Sequence, residues 1–141
     1  MDEMIPTISV NLVTVLAGGI AAFVAGMIWY SPAVYGKKFM KMMGVTQKEM
    51  EKGKEKMTGM MVQTFIVGLV TAFVLTHFLA YAGVTTVMDA VVLAFWVWLG
   101  FYATSLYLGV LYEKKSMDWW FMSAGHYLFS LLVTAIVLTV L

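Results

Sequence analysis

Residues 8–32 read ISVNLVTVLAGGIAAFVAGMIWYSP, an uncharged apolar run that ends on an aromatic pair and a Ser-Pro step. A helix of this length crosses a hydrocarbon core about 30 Å thick. The alternation typical of barrel strands is absent, so the sequence predicts an all-α integral membrane four-helix bundle. The bundle forms a single domain over residues 1–141, with spans at about 8–30, 60–82, 88–112 and 119–141.

The composition supports the same class of protein. The 141 residues are 62% hydrophobic and 12% charged, whereas a soluble domain is about 25% charged. Too little polar surface remains to cover a fold in water, and four spans leave no room for a soluble enzyme domain. The chain has no cysteine, which excludes disulfides and thiolate metal sites.

All nine lysines lie in two of the three connections between spans, seven of them in residues 31–59 and two at Lys114 and Lys115. In a four-span protein these two connections share one side of the membrane. Five acids also lie there, which gives that side +4, while Asp2, Glu3 and Asp89 give the other side −3. The positive-inside rule therefore predicts an inner-membrane protein with cytoplasmic lysines and both termini outside. The expected partners are the bilayer and its anionic headgroups, and no nucleic acid. The acidic start of the chain is unlike a cleaved signal peptide, so the first span is expected to be retained.

Residues 31–59, which connect the first two spans, are predicted to contain a short amphipathic interfacial helix. Apolar side chains lie on one side of this helix and lysines on the other, as expected for a helix at the headgroup boundary. The apolar set is Tyr35, Phe39, Met42 and Met43, and the basic set is Lys37, Lys38 and Lys41. Gly44 suits the end of this helix, and Thr46 with Glu49 predicts a cap for a second one.

The two histidines are the only ionisable residues well inside the spans, and such residues are functional candidates because isolating them in lipid is costly. The candidate polar path comprises His126 with Ser123, Ser130 and Thr134 along one face of the last span, and His77 with Gln63 in the second. A simpler alternative is that each neutral imidazole hydrogen-bonds a neighbouring helix and fixes packing. No nucleophile with a base, paired buried carboxylates or metal-ligand cluster can be identified, so no catalytic site, metal or cofactor is predicted.

Small residues recur at helical spacing in the first two spans. Gly18, Ala22 and Gly26 lie on one face of the first, and Gly68 and Ala72 belong to a similar strip in the second. Such strips let helices pack closely in lipid. They indicate packing within the chain, with a homo-oligomeric contact as the alternative.

Trp29-Tyr30-Ser31-Pro32, followed by Gly36 and Lys37, marks the exit of the first span. The aromatic pair is expected to anchor at the interface, Ser31 to satisfy a free carbonyl and Pro32 to stop the helix. This stretch resembles the N-terminal signature of domain-of-unknown-function family 1761, small four-span membrane proteins. The resemblance covers essentially the whole chain and departs at Phe39, where Trp is expected more often. It implies an architecture and supplies no catalytic residues.

The sequence alone is compatible with two functions. The first is an oligomeric bundle that handles a small solute or proton through the polar path near His126. The alternative is a non-catalytic membrane module whose lysine-rich connection binds anionic lipid or a cytoplasmic partner.

Overall fold

The chain folds into seven α-helices and one π-helical segment, as seen in a computed structural model that describes residues 7–44 and 46–141. These residues contain no strand, which confirms the all-α class. Asp2 and Glu3, which carry part of the predicted charge asymmetry, lie outside the described residues. The elements are α1 (Leu12–Trp29), α2 (Gly36–Met43), α3 (Gln47–Lys52), α4 (Lys54–Tyr81), α5 (Val87–Val97), the π segment (Trp98–Ala103), α6 (Thr104–Tyr112) and α7 (Met117–Val140).

Four helical stretches in the described chain are long and apolar enough to cross a membrane. They are Leu12–Trp29, Lys56–Tyr81, Val87–Tyr112 and Met117–Val140. We call Val87–Tyr112, which comprises α5, the π segment and α6, the third span. Helix α4 has 28 residues, about 42 Å at 1.5 Å per residue, and begins before the apolar run near residue 60. The end of the bundle that carries α2, α3 and the turn before α7 is called the basic end.

Helix α7 lies at the centre of the bundle and contacts α1, α4 and all three parts of the third span. Helix α1 packs against both α4 and α7. Large apolar side chains cover the outer surface, as expected for helices whose outward faces meet lipid. The main buried cluster joins α4, α5 and α7 through Leu75, Leu79, Ala90, Ala94, Leu131 and Ala135.

The two strips of small residues meet inside the chain, between α1 and α4. A Cβ added to Gly18 would lie 3.1 Å from the Ala72 Cβ, and one added to Gly68 would lie 3.4 Å from the Ala22 Cβ. Gly26 instead faces α7. Helices α1 and α4 of the same chain therefore pack closely at Gly18, Ala22, Gly68 and Ala72.

The termini of the helices follow local sequence signals. The Asn11 side chain accepts hydrogen bonds from Val13 N and Thr14 N at the start of α1. Gly44 ends α2 at φ 66°, a conformation that favours glycine, and Thr46 Oγ1 accepts from Glu49 N at 3.3 Å. The conformation of Gly44 confirms the predicted end of α2, and the hydrogen bond from Glu49 N to Thr46 confirms the predicted cap.

The π segment interrupts the third span, a feature that the apolar pattern does not predict. A π-helical turn is wider than an α-helical turn, so its backbone carbonyls are paired differently. Two carbonyls of this segment accept hydrogen bonds from side chains. The Thr104 hydroxyl donates to Gly100 O at 2.7 Å, and Trp120 Nε1 on α7 donates to Ala103 O at 2.9 Å. The second bond ties the π segment to the central helix.

Candidate functional site

A tight turn joins α1 to α2. Ser31 Oγ donates to Ile28 O at 2.7 Å, which confirms the predicted role of Ser31 at the helix exit. The Gly36 N–H donates to Ser31 O at 2.9 Å and closes the turn that contains Pro32. A Cβ at Gly36 would lie 2.5 Å from Tyr30 O, so the turn has room only for glycine.

Trp29 joins this turn to the central helix. Its Nε1 donates to Met122 O at 2.9 Å, and its ring stacks on Tyr35 with centroids 4.9 Å apart. The ring also lies over Gly125, where an added Cβ would come 2.8 Å from Trp29 Cζ2. Trp29 is therefore a packing and hydrogen-bonding anchor between α1, the turn and α7.

Tyr30 connects α2 to the inside of the bundle. Its ring lies 5.1 Å from that of Phe39 on α2 and 5.0 Å from the imidazole of His126 on α7. The apolar side of α2 thus packs inward through Phe39, and the lysines of the same helix remain exposed.

The exposed side of α2 forms a pocket with the first turn of α7, which we call the lysine pocket. It has a volume of about 590 Å³ and is lined by Lys37, Lys38, Lys41, Met42 and Asp118. Lys38 Nζ lies 3.7 Å from Asp118 Oδ1, and both side chains are well exposed. An exposed ion pair of this kind contributes only about 0–1 kcal/mol, so it holds Lys38 weakly. The pocket therefore presents an excess of positive charge to a ligand at the basic end.

The imidazole of His126 lies among aromatic rings at the junction of α1 and α7. Its centroid is 5.0 Å from those of Tyr30 and Tyr127, and a Cβ on Gly26 would be 3.2 Å from Nε2. Within the described part of the chain, no group hydrogen-bonds to either ring nitrogen. His126 therefore keeps free donor and acceptor capacity.

The rings continue from His126 across the bundle. Tyr127 lies 5.0 Å from Tyr102 of the π segment, and the Tyr102 hydroxyl approaches the Thr71 side chain on α4. The resulting row runs sideways through α1, α7, the π segment and α4. Tyr102 and Tyr127 were not among the predicted path residues, although Tyr127 follows His126 directly in the sequence.

The other predicted path residues are only partly brought together. Ser123 is buried beside Tyr30, and the buried Thr134 hydroxyl donates to Ser130 O on its own helix at 2.7 Å. His77 Nδ1 likewise donates to Phe73 O on α4 at 2.8 Å. His77 lies one turn from the end of α4 at Tyr81, and Gln63 is exposed nearer the basic end. Neither residue joins the row of rings at His126.

An apolar cleft separates α4 from the third span. It has a volume of about 320 Å³ and is lined by Val70, Thr71, Val74, Leu75, Phe78, Val97, Phe101, Tyr102 and Leu131. Phe95, Trp98 and Tyr102 are aromatic residues of the third span that share one helix face by their spacing in the sequence. Of these, Tyr102 lines the cleft, whereas Trp98 Nε1 donates to Ala124 O on α7 at 2.7 Å.

The fold and the site together define a multi-pass helical membrane protein with a basic pocket at one end. The family model described as a protein of unknown function (DUF1761) matches residues 13–139, nearly the whole chain. The chain belongs to this family, which confirms the resemblance drawn from the Trp29–Lys37 motif. Comparison with curated proteins and with solved structures gave no match.

Proposed function

We propose that this protein is a non-catalytic module of the inner membrane that binds anionic lipid headgroups at its basic end. The lysine-bearing connections lie in the cytoplasm and both termini outside. The lysine pocket carries the proposal, because three lysines and a single carboxylate line it.

Three features support binding of a headgroup in this pocket. Helix α2 is held by the Tyr30 and Phe39 rings, so its lysines project from a fixed surface. The nearby anchor Trp29 suits a membrane interface. Each lysine near an anionic surface contributes about 1 kcal/mol to binding at physiological salt. Lys37, Lys38 and Lys41 together therefore favour an anionic over a zwitterionic headgroup.

The test compares two triple variants in nanodiscs that contain phosphatidylglycerol and phosphatidylcholine. In the first, Lys37, Lys38 and Lys41 are replaced by Gln. In the matched control, the same change is made at Lys48, Lys52 and Lys56, which lie in the same connection but outside the pocket. Native mass spectrometry then counts the retained phosphatidylglycerol. We expect the pocket variant to lose most of its preference and the control to keep it. An equal loss of phosphatidylglycerol in both variants would contradict the proposal that the headgroup binds in the lysine pocket.

The proposed orientation has its own test, since the chain has no native cysteine. Single cysteines at Thr85 and Lys48, both exposed, are treated with a membrane-impermeant maleimide in intact cells and in inverted vesicles. We expect Thr85→Cys to react in intact cells and Lys48→Cys only in inverted vesicles. Labelling of both from one side contradicts the orientation.

The free ring nitrogens of His126 favour a second candidate function. In this alternative, an oligomeric bundle handles protons or a small polar solute through a polar path near His126. Proteoliposomes with a pH-sensitive dye should then show a flux that His126→Phe abolishes and His77→Phe leaves intact. The Phe variant keeps an aromatic ring against Tyr30, so its loss of flux reports on the imidazole nitrogens. A flux no greater than that of empty liposomes rejects this candidate.

A further inference from the structure

The apolar cleft between α4 and the third span is closed below and open at the outer surface. Leu75 and Leu131 form its floor, and each is only 3% exposed. Val70 and Phe101 lie at its rim and are 57% and 68% exposed. Because the outer surface of the bundle meets lipid, a molecule dissolved in the bilayer can enter the cleft from the side. Its volume of about 320 Å³ lies within the range of ligand sites, roughly 300–1,000 Å³.

Two hydroxyl groups lie together at one end of the apolar cleft, deep in the membrane. Thr71 is ten residues, about 15 Å, from the end of its span at Tyr81, and Tyr102 is equally far from the end of the third span at Tyr112. All other lining residues are apolar. Tyrosine normally lies at the membrane interface, and a hydroxyl in an apolar medium needs a hydrogen-bond partner. The hydroxyl pair thus distinguishes the cleft from a purely apolar groove between helices.

The π segment brings Tyr102 to this position. Phe101 and Tyr102 both belong to the π segment and both line the apolar cleft. The Tyr102 ring packs on Tyr127 of α7, with centroids 5.0 Å apart, so its hydroxyl is held at the end of the cleft. Single π-helical turns are rare and occur frequently at functional sites. The irregular part of the third span therefore presents the polar end of the cleft.

The protons of the hydroxyl pair indicate which polar group fits beside it. The Thr71 hydroxyl donates to Val67 O on its own helix at 3.0 Å. Its single proton is used there, so the proton between the two side chains is that of Tyr102, whose hydroxyl approaches Thr71. The Tyr102 oxygen then keeps acceptor capacity toward the cleft. A ligand hydroxyl can donate to it and break no bond, whereas a ligand carbonyl has to take the Tyr102 proton from Thr71.

The shape of the apolar cleft indicates how such a molecule is oriented. On α4 the lining extends from Val70 to Phe78, eight residues or about 12 Å, with Thr71 near the deep end. A phospholipid keeps its headgroup in the interfacial region, so a chain that enters past Phe78 places an apolar terminus at the hydroxyls. A molecule without a large headgroup can place its own hydroxyl there and its chain toward Phe78.

We infer that the apolar cleft binds a slim lipophilic alcohol, a molecule with one hydroxyl on an apolar chain, which enters from the bilayer. The ligand hydroxyl donates to the Tyr102 oxygen, and the chain lies against Leu75, Leu131 and Phe78. This site is separate from the lysine pocket at the basic end, and the inference does not depend on headgroup binding there.

The central test compares three probes of similar size, namely decanol, methyl octyl ketone and decane. Each competes, at equal concentration in the membrane, with a diazirine-bearing decanol analogue that labels the wild-type protein in nanodiscs. Labelling is quantified and mapped by mass spectrometry. We expect label on α4 and the π segment, and competition by decanol about threefold to tenfold stronger than by the other two probes, the effect of one net hydrogen bond. Equal competition by all three, or label spread evenly over the outer surface, overturns the inference.

Tyr102→Phe keeps the ring against Tyr127 and removes the hydroxyl, so the preference for decanol should disappear. Tyr107→Phe is the matched control, because it removes a hydroxyl from α6 at an exposed position outside the apolar cleft. This control should keep the preference. A Tyr102→Phe protein that still prefers decanol overturns the inference.

Thr71→Val gives a result that a purely structural role of the pair does not produce. The change removes the acceptor of the Tyr102 proton, which becomes available to a ligand oxygen. Methyl octyl ketone should then compete as strongly as decanol, while decane remains weak. A Thr71→Val protein that rejects the ketone as the wild type does contradicts the assignment of the protons and overturns the inference.

Discussion

The ring of Trp29 and the backbone of Gly125 are in direct contact, with Cζ2 2.8 Å from the place that a Cβ would occupy. The same ring holds Met122 O by a 2.9 Å hydrogen bond and stacks on Tyr35. The junction of α1, the turn and α7 therefore depends on the absence of one methyl group at Gly125.

Gly125→Ala is expected to destabilise the protein, although alanine favours helices. The methyl group displaces the Trp29 ring and weakens its bond to Met122 O, at a cost of about 1–3 kcal/mol. The free energy of unfolding is measured in detergent micelles by titration with sodium dodecyl sulfate. Gly59→Ala is the control, because a Cβ there meets no atom within 4 Å. Equal stability of the two variants would show that the Trp29 ring does not depend on Gly125.

Gly36→Ala is expected to open the turn between α1 and α2. The new Cβ would meet Tyr30 O at 2.5 Å and Ser31 O at 2.8 Å, and backbone atoms cannot move aside as a flexible side chain can. Loss of the turn frees α2, so protease cleavage after Lys41 should accelerate. Val34→Ala, at an exposed position of the same turn, should leave the cleavage rate unchanged. Similar rates for wild type and Gly36→Ala would refute the steric argument.

The helices and the exit from the first span could be predicted because their signals are local. An uncharged run sets the length of a span, and Ser31 bonds to Ile28 O only three residues away. The end of α2 at Gly44 likewise depends on one backbone conformation. None of these features requires knowledge of which helices are neighbours.

The arrangement around the candidate site could not be predicted, since it depends on lateral packing. Four apolar helices of similar length have no strong one-dimensional signal for their neighbours in lipid. The sequence places His77 and His126 in one candidate path, yet His77 bonds to its own helix and His126 lies against Tyr30. The π segment is also joined to a residue distant in the sequence, because Ala103 O accepts a hydrogen bond from Trp120 Nε1.

Trp98→Phe and Trp96→Phe form a matched pair that tests the hydrogen bond made by the Trp98 indole. Trp98→Phe removes the donor to Ala124 O and is expected to lower the free energy of unfolding by about 0.5–1.5 kcal/mol. Trp96→Phe removes a donor that has no acceptor in the described chain, so the protein should keep its stability. Both are measured in detergent at low protein concentration. A larger loss for Trp96→Phe would contradict the assignment of these hydrogen bonds.

Asp118→Asn is expected to strengthen binding of anionic lipid. Among the described residues, Asp118 is the only acid that lines the lysine pocket, and it lies 3.7 Å from Lys38 Nζ. Its neutralisation frees Lys38 and raises the charge of the pocket by one, worth about 1 kcal/mol or roughly a fivefold gain in preference for phosphatidylglycerol. The same change costs about 0.3–1 kcal/mol of stability, because Asp118 lies in the first turn of α7.

Glu113→Gln separates this pocket effect from a general change in charge. Glu113 lies at the same basic end, just beyond α6, and does not line the pocket. Phosphatidylglycerol retention is counted by native mass spectrometry for both variants at the same ionic strength. Only Asp118→Asn should raise it strongly, since this change removes a negative charge from the lining of the pocket itself, 3.7 Å from Lys38 Nζ. If the two variants raise retention equally, the headgroup responds to the net charge of the basic end and the geometry of the lysine pocket has no part in the preference.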